Sequence, residues 1–240
     1  MKSYNLKYRP FGDKAILIEW PQEISEEILH DILRFKAKIE VADMPSVLEL
    51  VSAYASMTIY LVDDSPILIT IDQLKELYEN PSDIQLKSQN WKIPVCYDPK
   101  FGTDMEDLSK GLNMDVEQII AIHSAKKYLV HFTGFLPGFL YLGGLDNRLH
   151  YPRKKVPALK IPGGSIGIGG NQTGIYPVES PGGWNIIGKT PVAFFDNTKE
   201  TPCFISPGDT IQFQPIDIEQ YMIEEHKLAK ESVGIKPITK

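Results

Sequence analysis

Cysteine is scarce in this chain of 240 residues, which has only Cys96 and Cys203. The two lie far apart and form no CxxC spacing, so the sequence predicts neither a disulfide framework nor a zinc site. We expect both to be small buried hydrophobic residues in a reducing compartment.

The chain also lacks an excess of positive charge and a long apolar run. Its formal net charge is −6, whereas nonspecific binding to nucleic acid or to an anionic membrane needs a basic surface. No stretch approaches the length of a membrane span, and the first residues lack the apolar core of a signal peptide. We therefore expect a cytoplasmic, soluble protein with no nucleic-acid or membrane partner.

The first third of the chain mixes short apolar runs with helical spacing. The order strand, helix, strand, strand, helix predicts an α+β domain of ferredoxin-like type over residues 1–88. The predicted strands are 14–20, 46–53 and 57–62, and the predicted helices are 24–39 and 67–79.

Residues 89–240 predict a second domain, a β-barrel or sandwich, because many short strands are separated by Gly and Pro turns. Helices are predicted after a capping box of Thr103 and Glu106, with Gly111 at the end, and over 116–126 after Asp115 and Gln118. A last helix is predicted at 217–230. The predicted strands are 91–97, 127–132, 165–170, 184–188, 192–196, 201–205 and 210–214.

The segment 131–191 holds 13 of the 18 glycines. Glycine at this density is incompatible with helix and indicates short strands and fixed turns around a shaped cavity or interface. Aspartate and glutamate are sparse there, so we expect no dedicated metal site.

Positive charge is concentrated between residues 148 and 189, with six Lys or Arg against one acid, Glu179. Such an excess would attract a carboxylate or phosphate, and His150 would add switchable charge. A solubilising basic loop is an equally good interpretation of the run at 153–155. The six cations are Arg148, Arg153, Lys154, Lys155, Lys160 and Lys189.

A polar and aromatic set follows in GNQTGIYPVESPGGW at 170–184. These side chains offer donors, acceptors and a flat apolar wall, with glycines that allow close approach of a ligand. The alternative is a series of turns held by Thr, Ser and Asn side chains. The set is Gln172, Thr173, Tyr176, Ser180 and Trp184.

Residues 183–190, GWNIIGKT, match the phosphate-loop spelling GxxxxGK[ST]. That motif functions only where a helix begins after it. Pro191 and a strand-like run follow, so we interpret the match as a coincidence. Lys189 is left as a possible anion contact and not as a phosphate-loop lysine.

Histidine offers one further candidate, His123, four residues after Ile119 on the apolar face of a predicted helix. A hydrogen-bonded core histidine is favoured over a catalytic one for such a lone residue. No Ser/His/Asp set is legible, although Ser165 or Ser180 with a histidine stays open. The histidines in question are His123, His131 and His150.

Three stretches together carry a resemblance to a known family: GFLPGFLYLGGL at 134–145, PRKKVP at 152–157 and IPGGSIGIGGNQTGIYPVESPGGWNIIGKTP at 161–191. The sequence resembles the family of 5-oxoprolinase B subunits, also called the sporulation-kinase inhibitor family or the family of the first allophanate hydrolase subunit. The resemblance implies an amino-terminal α/β domain and a cyclophilin-like β-barrel. It also implies a partner, the C subunit of 5-oxoprolinase, with a related barrel, and often a third partner, the A subunit.

Together these proteins resemble an ATP-dependent enzyme that opens 5-oxoproline, a lactam, to glutamate. The resemblance implies ATP with Mg²⁺, shared with the partners, and inactivity of this chain alone. It implies catalytic roles for Lys189, Gln172 and His123. Substrate-binding roles follow for Phe135, Pro137, Gly138, Thr173, Tyr176, Ser180, Trp184 and Lys160.

Two departures from the family pattern weaken the roles implied for Lys160 and Lys189. Family members commonly have Arg near Ala158 and Lys160, and GRTP where this chain has Lys189 in GKTP. Lysine keeps the charge but loses the planar fork that binds a carboxylate or phosphate through two hydrogen bonds. Two other functions stay open: a sensor histidine kinase inhibitor and a urea-carboxylase-like carboxyltransferase component.

Overall fold

A computed structural model describes residues 4–230 and 237–238. The chain divides into two compact units, with the boundary between residues 87 and 88. They are here called the N-terminal and the C-terminal unit. Among the described residues, no helix is long and apolar enough to cross a membrane.

The N-terminal unit is a four-stranded antiparallel sheet, in the order β1-β2-β4-β3, with two helices. Helix α1 begins after Ser25, whose Oγ accepts a hydrogen bond from the amide of Ile28. Alternate residues of the central strands meet the apolar face of α1 in the core. The elements are β1 (Lys7–Pro10), β2 (Ala15–Glu19), α1 (Glu26–Ala42), β3 (Val47–Ser52), β4 (Ser56–Leu61) and α2 (Ile67–Glu79).

The ferredoxin-like assignment of this unit is not confirmed. That fold follows the order β-α-β-β-α-β, with its last strand after the second helix. Residues 80–87, all of which the structure describes, contain no strand. The additional edge strand is β1, which comes first in the chain and pairs with β2.

The C-terminal unit is built on a closed barrel of seven strands, in the order β10-β7-β6-β13-β5-β12-β9, which confirms the predicted barrel. Strands β8 and β11 form a separate two-stranded ribbon. The strands are β5 (Asn90–Cys96), β6 (Lys127–Thr133), β7 (Leu140–Gly143), β8 (Ala158–Ile161), β9 (Ser165–Gly169), β10 (Gln172–Ile175), β11 (Ser180–Gly182), β12 (Asn185–Lys189) and β13 (Thr210–Ile216).

The described part of the C-terminal unit also contains three α-helices: α3 (Met105–Leu112), α4 (Val116–Ala125) and α5 (Ile218–Lys230). The predicted entry to α4 is confirmed, because Gln118 accepts a hydrogen bond from the amide of Asp115. The predicted capping box of α3 is wrong: its N-cap is Asp104. The helix ends at Leu112 and not at the predicted Gly111, and its C-cap is Asn113, which takes the left-handed conformation.

Two predicted strands, 192–196 and 201–205, are loops in the structure. Three of their apolar residues, Val192, Phe194 and Ile205, are nonetheless buried and pack into the barrel core. The apolar pattern thus predicted the burial of these residues but wrongly predicted that they form strands. A short apolar run does not by itself distinguish a strand from another buried segment. Cys96 is buried as expected, whereas Cys203 is only half-buried.

Candidate functional site

The outer face of β9 and β10 is lined by glycine, which we call the glycine floor: Gly167, Gly169 and Gly174. The residues between them, including Ile166, Ile168 and Thr173, point into the barrel and are fully buried. A Cβ added at Gly169 would lie 2.6 Å from the indole Cδ1 of Trp184, and one at Gly174 would lie 2.9 Å from its Cζ3. The glycines therefore make room for the indole ring directly on the barrel wall.

Four aromatic rings cover the glycine floor and pack edge to face. Phe139 lies 5.0 Å from Tyr176 and 5.5 Å from Trp184, and Tyr141 lies 6.1 Å from Trp184. Trp184 is only 4% exposed and Tyr176 only 2%. Burial raises the pKa of the Tyr176 hydroxyl to about 12. Both rings, predicted to bind substrate, thus form the packed support of the site, whereas Tyr141 is partly open to solvent.

Gln172 stands beside this cluster. It lies opposite Gly169 across β9 and β10, so it shares the outer face with the glycine floor. Its Oε1 is buried and accepts no hydrogen bond from the described residues, and Ser180 Oγ is in the same condition. An unpaired buried polar atom costs about 1–3 kcal/mol, which makes it a sign of function where it persists.

Arg153 lies over the outer side of Trp184, with its guanidinium carbon 5.5 Å from the ring. Its side chain is exposed to solvent. Burial raises the pKa of Tyr141, and the positive charge of Arg153 offsets part of that rise. A cation over an indole face is attracted by the electrons of the ring. Arg153 and Tyr141 thus both lie against Trp184, and Gln172 lies on the same outer face opposite Gly169, which the indole covers. These four residues are here called the outer-face group.

Half of the six basic residues predicted to attract an anion have acidic partners. Arg148 binds Asp146 through two hydrogen bonds of 2.8 and 2.9 Å, which hold the pKa of that carboxyl well below its usual range. Lys154 contacts Asp104 at 2.6 Å, and Lys160 contacts Glu179 at 3.4 Å. Within the described part of the chain, the other three have no acidic partner: Arg153, Lys155 and Lys189.

Lys189 lies apart from Gln172, although both were predicted to be catalytic. Lys189 pairs with Ser165 on β9, and Gln172 pairs with Gly169 on the same strand. Four residues along a strand span about 13 Å. The Lys189 ammonium instead lies 5.7 Å from the ring of Phe101 and 5.9 Å from that of Tyr221.

The phosphate-loop spelling is a coincidence, as the sequence predicts. Its residues form the barrel strand β12, and a loop rather than a helix follows Lys189. The amide groups of this strand pair with β9 and β5 and are not gathered around an anion. Nothing in this segment resembles the strand, loop and helix of a phosphate-binding motif.

His123 lies inside the barrel and is 0% exposed. Its Nδ1 is hydrogen-bonded to the Tyr97 hydroxyl at 2.8 Å and its Nε2 to Thr173 Oγ1 at 3.1 Å. Because Thr173 Oγ1 donates to the carbonyl of Gly167, Nε2 carries the proton and Nδ1 accepts. Burial lowers the pKa of His123 to about 3. His123 and Thr173 thus have structural roles and lie away from the outer-face group.

The loop of residues 134–138 borders the aromatic cluster. Phe135 adopts a left-handed conformation, with φ 66°, while 64% exposed. A bulky residue takes this conformation only where the surrounding structure imposes it. Gly138 is buried, and a Cβ there would lie 2.8 Å from Phe195 Cβ. Of the three residues predicted here to bind substrate, Phe135 and Pro137 are exposed and Gly138 shapes the loop.

Sequence reasoning missed Arg153 and Tyr141 as members of the site. Arg153 was counted only as one of six cations, and Tyr141 lay unremarked in GFLPGFLYLGGL. The alternation of glycine with Ile in SIGIGG was a usable signal, because period-two glycine marks one face of a strand. It identifies the face, although not the Trp and Arg that cover it.

The described residues contain no group of three or more His, Cys, Asp or Glu that could hold a metal ion. The polar groups of the outer-face group are a guanidinium, a phenol and an amide, which suit an organic anion or amide rather than a cation. The group thus favours a small polar ligand with a carboxylate.

Comparison with known proteins identifies the family of the chain. Residues 6–205 match the family model of the carboxyltransferase domain, subdomain C and D. The B subunit of 5-oxoprolinase from Bacillus subtilis (strain 168) is 35% identical over 222 residues, covering 88% of this chain and 92% of that protein. The protein of the same name from Escherichia coli O157:H7 is 35% identical over 205 residues, covering 85% and 93%.

A solved structure, the crystal structure of TTHA0988, has the same fold. It matches with a TM-score of 0.75 at 31% identity and covers 85% of this chain but only 40% of its own. The match to that larger chain is therefore partial, whereas the two 5-oxoprolinase relatives match over most of their length. On this basis the chain belongs to the carboxyltransferase subdomain C and D family and, within it, to the family of 5-oxoprolinase B subunits.

Proposed function

We propose that this chain is the B subunit of an ATP-dependent 5-oxoprolinase complex and supplies part of the lactam-binding site. The relatives at 35% identity support the assignment to the complex. The observation that carries the location of the site is the outer-face group, in which a guanidinium without a described acidic partner lies over Trp184. Gln172, whose Oε1 has no described donor, lies opposite Gly169, which the same indole covers. Those groups complement a carboxylate and an amide N–H.

The chemistry needs positioning more than a protein nucleophile. A lactam carbonyl is a poor electrophile, and transfer of a phosphoryl group to its oxygen makes the carbon attackable and supplies a leaving group. One water then adds to that carbon and the ring C–N bond breaks, with the nitrogen leaving as the protonated amine, which gives the acyl phosphate of glutamate. A second water hydrolyses the acyl phosphate, so that phosphate leaves and glutamate is formed. Such reactions depend on orientation and on positive charge near the transferred group. In this proposal the aromatic cluster and Arg153 hold the ring in place.

ATP and Mg²⁺ are not assigned to the described residues of this chain. The phosphate-loop spelling is a barrel strand, and no carboxylate cluster among those residues suits a metal ion. We therefore assign the nucleotide to surfaces of the two partners, the C and A subunits of the complex. The exposure of Arg153, Phe135 and Pro137 supports a site completed by another protein of the complex.

The test is reconstitution of the complex. The chain is co-expressed with its neighbouring C and A subunits, and ADP release is measured with and without 5-oxoproline. We expect ADP and glutamate to appear together only when all three proteins and the lactam are present. Absence of lactam-dependent ADP release from a fully assembled complex would contradict the proposal.

A carboxyltransferase role is the second candidate, favoured by the name of the matching family model. Dependence of turnover on biotin and bicarbonate would support this role over the 5-oxoprolinase role. The histidine kinase inhibitor stays a prediction. Binding to a kinase dimerisation helix, without turnover in the presence of the C subunit, would support it.

A further inference from the structure

Arg153 is held in place by its chain neighbours. Asn185 Nδ2 donates a hydrogen bond to the Pro152 carbonyl at 2.9 Å, and the Lys154 amide donates to the Gly183 carbonyl at 2.7 Å. These bonds attach the residues on both sides of Arg153 to the two that flank Trp184. The backbone at Arg153 is therefore fixed relative to Trp184, which lowers the entropy lost when its guanidinium binds a ligand.

A second anchor acts one residue further along. The Lys154 ammonium binds Asp104 Oδ1 at 2.6 Å, and Asp104 Oδ2 accepts a hydrogen bond from the Ile186 amide at 2.7 Å. Asp104 thus ties the basic loop to β12. Of the three consecutive cations, the middle one serves as a fixed strut and leaves Arg153 facing the aromatic cluster.

The charge of Arg153 is uncompensated. No described acidic side chain lies within ion-pair distance of it, in contrast to Arg148, Lys154 and Lys160. A guanidinium stacked on a ring keeps its N–H donors free at the edge, and two of them match the oxygens of a carboxylate. Lys155 has no acidic partner either, but it makes no ring contact in the described structure.

The neighbours of Arg153 suit the rest of a lactam ring. Tyr141 supplies a partly open apolar surface that the buried rings of Trp184 and Phe139 support, and Gln172 is half-buried on the same face. The unpaired Gln172 Oε1 is an acceptor available to a ring N–H. The donor that Oε1 lacks in the described structure is the group that a lactam offers.

We propose that Arg153 binds the α-carboxylate of the lactam substrate, while Gln172 accepts a hydrogen bond from the ring N–H. This inference rests on the proposed function. It makes Arg153 the residue by which the site distinguishes an amino-acid lactam from a lactam without a carboxylate, and Gln172 the residue that recognises the amide.

The experiment uses the reconstituted complex and follows ADP release with 5-oxoproline. Arg153→Met is expected to raise KM by about 10- to 100-fold, in line with loss of a charged hydrogen bond, and to change kcat much less. Arg153→Lys should fall in between, because it keeps charge but not the fork. Lys155→Met is the matched control and should leave KM within about twofold.

Inhibition by 5-oxoprolinamide, whose carboxylate is neutralised, separates the two roles. Wild type should bind 5-oxoproline at least about tenfold more tightly than the amide, and Arg153→Met should bind both about equally. Gln172→Leu should weaken both compounds by a similar factor, because both carry the ring N–H. Circular dichroism and co-purification with the C and A partners establish that each variant folds and assembles.

Two results would overturn the inference while leaving the proposed function intact: an unchanged KM for Arg153→Met, or an equal rise for Lys155→Met. Equal loss of both ligands in Arg153→Met would also exclude carboxylate recognition. A wild-type complex that releases no ADP in response to 5-oxoproline would instead remove the proposed function, and this inference with it.

Discussion

The two faces of strands β9 and β10 differ in how completely their polar groups are paired. On the inner face, His123 and Thr173 are hydrogen-bonded at every polar side-chain atom and are sealed from solvent. On the outer face, Gln172 Oε1 has no described donor and Arg153 has no described acid. Successive residues of one strand thus serve opposite purposes.

The comparison shows that buried structural residues and candidate binding residues lie on opposite faces of the same strands, and not in different segments of the sequence. Buried polar groups whose hydrogen bonds are all formed within the protein make a core rigid. Polar groups without partners on an outer face are available to form hydrogen bonds to a ligand. The glycines of the outer face are needed because they leave space and not because they are flexible. The indole of Trp184 occupies the volume that their side chains would take.

The largest expected effect comes from removing the ring that covers the glycine floor. Trp184→Ala should lower the free energy of unfolding by about 3–5 kcal/mol, because a buried aromatic leaves a large cavity. Urea denaturation of the purified chain measures it. Trp184→Phe, which keeps a ring, should lose clearly less. A loss below about 1 kcal/mol in Trp184→Ala would mean that the indole is not packed on the barrel.

The floor itself gives the next effect. Gly169→Ala would put a methyl group 2.6 Å from the indole of Trp184 and should cost about 1–3 kcal/mol through overpacking. Gly183→Ala is the matched control, because a Cβ there lies no closer than 3.8 Å to its neighbours. Urea midpoints of the two variants should differ. Equal urea midpoints of Gly169→Ala and Gly183→Ala would contradict the inference that the outer glycines are required to accommodate the indole.

The inner face is tested by pH. Since the pKa of His123 is about 3 in the folded chain and near 6.5 when unfolded, the unfolded chain binds more protons between these values. Stability is therefore present above about pH 6.5 and falls as the pH drops toward about 3. At about pH 5 the loss relative to about pH 8 should be about 2 kcal/mol from this residue.

His123→Gln supplies the control, because glutamine keeps hydrogen-bonding capacity but does not titrate. Urea unfolding at about pH 8 and about pH 5 should show a smaller loss in this variant than in wild type, by about 2 kcal/mol. Identical pH dependence of the two proteins would mean that His123 is open to water in solution and would erase the contrast between the faces.

The smallest effects are expected among the outer cations. Lys160→Met should change the free energy of unfolding by less than about 0.5 kcal/mol, because its contact with Glu179 is exposed. Lys154→Met should cost more, about 1 kcal/mol, since Lys154 and Asp104 are partly buried and Asp104 also binds β12. Thermal unfolding of both variants measures the difference. Equal small effects would show that the strut is unimportant.

Much of the architecture follows from local pattern. The bounds of α2 and α5, the entry to α4 and the barrel class were predictable, because apolar periodicity and capping residues act within a few positions. The rejection of the phosphate loop was also local, since Pro191 and an apolar run stand where a helix would have to begin. The missed edge strand β1 has too few apolar residues to give such a signal.

The site was only partly predictable. The residue pattern alone predicts that residues 131–191 form strands and turns, that glycine lines one face of β9, and that cations lie nearby. The three-dimensional fold was needed to show which cations are paired, that Arg153 lies over Trp184, that His123 is buried inside the barrel, and that Lys189 lies apart. The physical reason is that these outcomes depend on strand register and barrel closure, which join residues far apart in the chain.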